Sequence, residues 1–316
     1  MLFRSGEREL RLVAVALAFT LGVEALYAVK HRLVFHMSRA TGTFSHPNSL
    51  SMYLCMTAPV VAAAAMAQWR RFDRPIRWIC LAGVASACVA ILLTVSRAGI
   101  PMFALVVGAT VALCDDWRIT PRKAALALAA LAALGVMVAA SWKTVAARFA
   151  ESTLEEEMAE DKFENRGQYF GIVKEIMKDR FFGVGLNNWS YWVSKEYGRR
   201  TGSPYNDYDD IPAYVKANIR RFGVAGTYAP PAHNLGVITL GELGAPGLLI
   251  FSLLWLRWFS LGFVFLWRRL THPEHRIAVG IFFGIGGVFL QSLTEWTYRE
   301  TRSEEHTSEL QSRLHL

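Results

Sequence analysis

Apolar runs of membrane-spanning length recur along this chain, and they restrict it to the folds that a lipid bilayer permits. A crossing helix needs about 20 mostly apolar residues. Because lipid offers the backbone no hydrogen-bond partners, only helices and closed barrels span it. Seven runs reach or approach this length: residues 10–29, 50–67, 76–95, 100–114, 124–141, 248–267 and 277–296. The sequence therefore predicts an all-α protein, a polytopic transmembrane helical bundle.

A shorter apolar segment, residues 235–243, precedes the sixth run and is separated from it by Gly244, Pro246 and Gly247. An interruption of this kind at membrane depth is tolerated where it is packed in protein or lines a cavity. We therefore expect a half-span before the sixth span. The expected parts are about five spans in residues 1–141, a large polar loop in 142–232, the half-span and two spans in 233–301, and a tail in 302–316.

The composition agrees with an integral membrane protein. Hydrophobic residues make up 53% of the chain and charged residues 19%, against about 25% charged in soluble proteins. The net charge of +8 does not indicate a nucleic-acid partner, because most arginines lie between the apolar runs. In those positions the positive-inside rule and anionic lipid head groups account for them. The four cysteines lie inside apolar runs and show no zinc or disulfide spacing.

Basic residues in the short loops predict the orientation of the spans. Arginine and lysine cluster in three loops, near residues 70–77, 118–123 and 268–276. With these loops in the cytoplasm, the amino terminus is also cytoplasmic. The loop at residues 30–47, the Ser96–Arg97 turn and the long polar loop then lie on the opposite side.

The polar loop of residues 142–232 is far longer than an ordinary connection, which makes it functional or disordered. Its many aromatic residues argue against disorder. Residues 165–179 have apolar side chains at helical spacing and predict an amphipathic helix on the outer surface, with Arg166 at its start. The turn Gly183–Gly185 follows, but no phosphate-loop lysine comes after it, so a nucleotide site is not indicated. The aspartates of residues 206–210 are interpreted as a polar loop, not a metal site.

Five further residues are candidates for catalysis or substrate binding because of their positions relative to the predicted spans. Asn48 opens the second span, Arg97 lies in the tight turn before the fourth, and His233 and Asn234 open the half-span that contains Glu242. Charged groups at membrane depth mark functional sites by default. Four of them also have a structural interpretation: Asn48 can belong to a helix-entry loop, and Arg97 can reach lipid phosphates. His233 is a lone histidine, which is more often structural than catalytic, and Glu242 can be hydrogen-bonded within the bundle.

These residues belong to short groups that are each weak alone. In their order and intervals, from about residue 10 to 299, they resemble the O-antigen ligase and polymerase superfamily of bacterial glycan-assembly membrane proteins. The groups are Gly42-Thr43-Phe44 with Pro47-Asn48, Ser96-Arg97, Arg166 with Gly183-Val184-Gly185, and His233-Asn234 with Glu242-Leu243-Gly244. Together they are specific for the superfamily but not for one activity within it.

The resemblance implies a multi-pass glycosyltransferase of the bacterial inner membrane, with its active face periplasmic and its donor glycan on undecaprenyl diphosphate. The acceptor would be a lipid, a glycan or a protein, and neither a metal nor another cofactor is implied. Arg97 and Arg166 match arginines that hold the donor diphosphate, and His233 matches the proposed general base. Asn48, Asn234 and Glu242 match motif positions of supporting role.

Three functions compete at this point. A ligase moves a finished glycan to an acceptor, whereas a polymerase extends the glycan on its own carrier by the same donor chemistry. A transporter or flippase, the non-enzymatic alternative, would favour midplane charges and an internal repeat. The sequence shows no repeat, and its candidate charges gather on one side of the membrane, which favours an enzyme. Ligase and polymerase stay open.

The two ends of the chain carry separate expectations. Superfamily members usually have more spans than the seven found here, so we expect the chain to be a fragment, and the sequence leaves its activity open. Residues 302–316 resemble a translated sequencing adapter and are predicted to have neither structure nor function.

Overall fold

The computed structural model of the protein describes residues 7–44, 46–67, 74–114, 167–201, 232–267 and 273–293. All regular secondary structure in these ranges is helical. The α-helices are α1 (Glu7–Leu33), α2 (Pro47–Ala67), α3 (Arg74–Thr94), α4 (Gly99–Cys114), α5 (Gly167–Asp179), α6 (Trp189–Trp192), α7 (Gly198–Arg200), α8 (Leu235–Trp267) and α9 (Pro273–Ser292). A π-helical turn, Val193–Tyr197, joins α6 to α7. The prediction of an all-α transmembrane bundle is confirmed.

Five of these helices are long and apolar enough to cross a membrane. The spanning stretches are Glu9–Leu33, Pro47–Met66, Pro75–Thr94, Leu235–Leu266 and His275–Ser292. Helix α4 is also apolar but has only 16 residues. The predicted span at residues 124–141 lies outside the described residues, as does the tail at 302–316. Since several separate helices have spanning length, the protein is a multi-pass membrane protein.

The chain divides into two compact units, residues 1–151 with 261–291 and residues 152–260 with 292–316. In the first unit α1 packs against α3, and α2 packs against both α3 and α4. Small residues allow close approach: a Cβ atom added at Gly83 of α3 would lie 2.8 Å from the Cβ of Ala18 in α1. Likewise, a Cβ at Gly280 of α9 would lie 2.5 Å from the carbonyl oxygen of Pro59 in α2. Such small-residue contacts are how helices associate in lipid, where burial of apolar surface offers little driving force.

The second unit contains the amphipathic helix that the sequence predicts. Helix α5 buries Ile172, Val173 and Ile176, which fall on one face at 3.6 residues per turn. Tyr169 is half-buried, and Lys174 is exposed on the opposite side.

Helix α8 contains the predicted interruption. Gly244 has φ 69° and ψ −173°, which is not helical, while the helix continues on both sides of it. Pro246 lies just after the break, where its missing N–H would have no helical partner in any case. The interruption therefore occurs at Gly244 alone, and Pro246 and Gly247 belong to the helix that follows.

Candidate functional site

The turn that carries Arg97 is held by the residue before it. The buried Ser96 Oγ accepts a hydrogen bond from Gly99 N at 3.1 Å and so caps the start of α4. Ser96 N donates to Thr94 Oγ1 at 3.2 Å. Val95 takes a left-handed conformation, φ 50°, which is unusual for a β-branched residue. Arg97 is half-buried, and its backbone is fixed by this turn.

Asn48 is joined to the same turn. Its Oδ1 accepts from Ser96 Oγ at 3.3 Å and from Arg39 Nη2 at 3.0 Å. Arg39 Nε donates in addition to the Thr94 carbonyl oxygen at 3.2 Å. The first unit thus brings together Asn48 and the Ser96–Arg97 turn, two of the groups singled out in the sequence. Arg39 was missed, although an arginine in a loop assigned to the non-cytoplasmic side carries the same signal that identified Arg97.

The Gly42-Thr43-Phe44 loop is held by a second residue that the sequence analysis missed. Glu24 lies within α1 and is only 6% exposed. Its Oε2 accepts from Thr43 N at 2.9 Å, and its Oε1 accepts from Thr43 Oγ1. Gly42 has φ 63°, and a Cβ atom there would overlap the Glu24 carboxylate. The loop therefore requires glycine at residue 42 both for its conformation and for space.

In the second unit His233 stands immediately before the cap of α8. Asn234 Oδ1 accepts from Val237 N at 2.9 Å and caps the helix. Asn234 Nδ2 donates to the Leu293 carbonyl oxygen at 2.6 Å. The His233 ring meets the edge of the Tyr169 ring, with centroids 6.1 Å apart, and is half-buried. Two neighbours, Asn234 in the chain and Tyr169 on α5, therefore restrict where this imidazole can lie.

The Gly183–Gly185 turn packs against the break in α8. Val184 N donates to the Gly241 carbonyl oxygen at 2.9 Å, and Ala245 N donates to the Phe181 carbonyl oxygen at 3.1 Å. Breaking a helix removes hydrogen-bond partners from its backbone, and membrane helices need other protein groups to replace them. The turn supplies those groups, which gives the glycine-rich segment a structural role.

Glu242 lies at the centre of this arrangement. It is 3% exposed, its Oε1 accepts from Trp189 N at 3.4 Å, and its carbonyl oxygen accepts from Gly185 N at 2.9 Å. Trp189 is itself buried against Gly241, where a Cβ atom would lie 2.5 Å from the indole ring. The structural interpretation of Glu242 is therefore supported: the side chain joins α8 to the start of α6.

Aromatic and cationic side chains continue beyond α5. The Arg180 guanidinium lies over the Trp192 ring at 3.9 Å from its centroid, and its Nε donates to Tyr197 Oη at 3.2 Å. Burial raises the pKa of Tyr197, and the Arg180 hydrogen bond opposes that rise. Arg200 pairs with Asp179 at 2.5 Å and Glu196 at 2.6 Å, on a half-exposed surface where such pairs contribute little.

Two of the predicted features are not among the described residues. Arg166 and the aspartates of residues 206–210 lie outside the described residues. Within the described ranges, no group of three His, Cys, Asp or Glu residues is arranged to hold a metal ion. The structure thus brings together Asn48 and the Ser96–Arg97 turn in the first unit. In the second unit His233 and Asn234 lie at the start of α8, and Glu242 lies about two turns further along the same helix.

Comparison with known proteins places these residues in a family. The family model described as O-antigen ligase matches residues 81–252. This interval contains Arg97, Arg166, His233 and Glu242, whereas Asn48 precedes it. No curated protein sequence matches the chain. Because the matched interval is more than half of the 316 residues and the fold is a multi-pass helical bundle, the chain belongs to the O-antigen ligase family.

Proposed function

We propose that the protein is an O-antigen ligase-like glycosyltransferase that moves a glycan from undecaprenyl diphosphate to an acceptor hydroxyl at the periplasmic face of the inner membrane. Family membership supports activity of the ligase or polymerase type on lipid-linked glycans. The position of His233 supports the proposed glycan transfer. This residue is half-buried, lies next to the Asn234 cap of α8, and contacts the edge of the Tyr169 ring. An imidazole in such a position is restrained yet accessible, as a general base must be.

The donor's diphosphate is the leaving group, and Arg97 and Arg166 bind it. As the sugar–phosphate bond breaks, negative charge builds on the departing oxygens, and the planar guanidinium group matches phosphate oxygens with two parallel hydrogen bonds. Preorganised charge at such a centre is commonly the largest catalytic contribution. The Ser96 cap supports this role for Arg97, because the turn is fixed before any donor arrives. With cations supplied by arginine, the reaction is metal-independent.

The acceptor reacts through its hydroxyl oxygen. His233 removes the hydroxyl proton as that oxygen attacks the anomeric carbon. The bond from the anomeric carbon to the diphosphate oxygen breaks with inversion, and undecaprenyl diphosphate departs carrying the bonding electrons. The histidine is left protonated and releases the proton to water. General-base help of this kind contributes typically 10²–10⁴-fold to the rate.

Substitution of His233 tests the assignment directly. We expect His233→Ala and Arg166→Ala to abolish transfer in an assay with a lipid-linked glycan, while both proteins still insert into membranes. Arg257→Ala is a matched control, since this arginine is exposed on α8 and has no assigned role. Wild-type transfer by either site variant would refute the assignment.

A further inference from the structure

Arg39 links the loop after α1 to the end of α3. Its Nε donates to the Thr94 carbonyl oxygen at 3.2 Å, and its Nη2 donates to Asn48 Oδ1 at 3.0 Å. The backbone beside it is also fixed, because Ala40 N donates to the Leu93 carbonyl oxygen at 2.9 Å. The side chain is part-buried. Arg39 is therefore held at both ends of its guanidinium group instead of extending into solvent.

These contacts determine which way the Asn48 amide faces. A guanidinium group can only donate, so the Asn48 atom that meets Arg39 must be the oxygen. Ser96 Oγ already accepts from Gly99 N, which leaves its hydroxyl proton for the same Oδ1 at 3.3 Å. With two donors on the oxygen, Nδ2 is the other arm of the planar amide group and does not face Arg39 or Ser96. Within the part of the chain that the structure describes, Nδ2 makes no hydrogen bond, and Asn48 is half-buried rather than fully covered.

We propose that Arg39 is a positioning residue that orients Asn48 so that its Nδ2 donates, beside Arg97, to a phosphate oxygen of the donor diphosphate. This inference rests on the proposed function. Ser96 connects the two groups, because its Oγ contacts Asn48 and Arg97 is the next residue. Asn48 lies in the first turn of α2, where partial positive charge at a helix start also favours an anion. Asn48 is then a binding residue with a defined hydrogen bond, and Arg39 acts through it.

Asn48→Asp separates this role from a purely structural one. The aspartate keeps an oxygen that accepts from Arg39 and Ser96, so the thermal unfolding temperature in detergent should not fall. It replaces the Nδ2 donor by an anionic oxygen, which repels phosphate. We expect affinity for undecaprenyl diphosphate, measured on the purified full chain in micelles, to fall by roughly tenfold or more. Affinity for undecaprenyl monophosphate should fall less, since that ligand presents one phosphate to the site.

Variants of Arg39 give an independent readout. Arg39→Ala removes the donor that orients Asn48, and we expect a severalfold loss of diphosphate affinity. Arg39→Lys keeps a cationic donor but lacks the fork that contacts the Thr94 carbonyl oxygen and Asn48 Oδ1 together, so we expect it to restore only part of that affinity. Arg257→Ala again serves as the control and should bind as the wild type does.

The outcomes distinguish this inference from the proposed function. If Arg97→Ala loses diphosphate affinity while folded Asn48→Asp keeps it, the role of Asn48 is wrong and the donor assignment stands. If Asn48→Asp fails to fold, equal affinity of Arg39→Ala and wild type contradicts the inference. If neither the wild type nor any variant binds undecaprenyl diphosphate, both the inference and the proposed function are overturned.

Discussion

At the scale of single residues, Glu24 shows that a carboxylate inside a spanning helix can be structural. Such a group is expensive to place in a membrane and is a functional candidate by default. Here both of its oxygens accept hydrogen bonds from Thr43, one from the backbone N–H and one from the hydroxyl. The carboxylate therefore fastens the Gly42-Thr43-Phe44 loop to α1. This loop leads directly to Pro47 and Asn48 at the start of α2.

The first prediction concerns this attachment. We expect Glu24→Ala to lower the free energy of unfolding by about 1–3 kcal/mol, because two partly buried donors of Thr43 lose their acceptor. Thermal unfolding of the purified protein in detergent measures the change. Glu9→Ala, at an exposed position of the same helix, is the control and should stay within about 0.5 kcal/mol of wild type. Equal unfolding temperatures for Glu24→Ala and Glu9→Ala would show that the carboxylate does not hold the loop.

At the scale of elements, the break in α8 and the glycine turn form one structure. Gly244 has positive φ, and so do Gly183 and Gly185 in the turn that packs against it. The three backbone hydrogen bonds between the two segments replace those that the broken helix lacks. Because the turn also connects α5 to α6, this contact ties the polar loop to a spanning helix close to Glu242.

The second prediction tests how much this contact requires glycine. We expect Gly244→Ala to prevent stable folding of the second unit, because its φ of 69° is strained for alanine and a Cβ atom would overlap the Phe181 carbonyl oxygen. The measurement is the fraction of protein that elutes as a monodisperse peak in detergent. Gly171→Ala is the matched control: it lies within α5 with nothing within 4 Å of a Cβ atom. Alanine there should be neutral or stabilising by up to about 1 kcal/mol. A monodisperse Gly244→Ala protein with wild-type stability would contradict this account.

The elements also show what the sequence could and could not predict. Spanning length depends on the local density of apolar residues, so helices α1, α2, α3, α4, α8 and α9 were predicted within a few residues of their ends. The interruption at Gly244 was predicted because Gly and Pro act locally on the backbone. The Gly183–Gly185 turn was also predicted, but its pairing with the break was not, because that pairing is a tertiary contact between segments that are distant in the sequence. Arg39 and Glu24 were missed although each carries a signal in the sequence: Arg39 is an arginine in a loop assigned to the non-cytoplasmic side, and Glu24 is a carboxylate inside a span. Only the fold shows that their partners are Asn48 and Thr43.

At the scale of the whole molecule, three of the candidate residues lie at helix starts. Asn48 lies in the first turn of α2, Arg97 precedes α4 by two residues, and His233 precedes α8 by two. Helix starts carry partial positive charge and unpaired backbone N–H groups, both of which favour anionic ligands. The location of these three residues therefore agrees with the proposed binding of an anionic, lipid-linked substrate.

The last prediction separates the two activities that the family match leaves open. A ligase and a polymerase share the donor and differ in the acceptor, so residues that bind the diphosphate do not discriminate between them. The glycans that accumulate in the cell do discriminate between a ligase and a polymerase. In a strain from which the corresponding gene is deleted, loss of a ligase leaves long glycans on the carrier lipid and none attached to the final acceptor. Loss of a polymerase instead leaves attachment intact but shortens the glycans to single units.

We expect the ligase outcome, because the matching family model is described as O-antigen ligase. Gel analysis of attached and carrier-linked glycans measures both length and attachment in one experiment. Complementation with the full-length gene should restore attachment, and complementation with its His233→Ala variant should not, because the acceptor hydroxyl then lacks a base. Attached glycans that are short in the deletion strain would instead identify the acceptor as a carrier-linked glycan. That result would assign polymerase activity while leaving the roles of Arg97 and Arg166 unchanged, since the same diphosphate departs in both reactions.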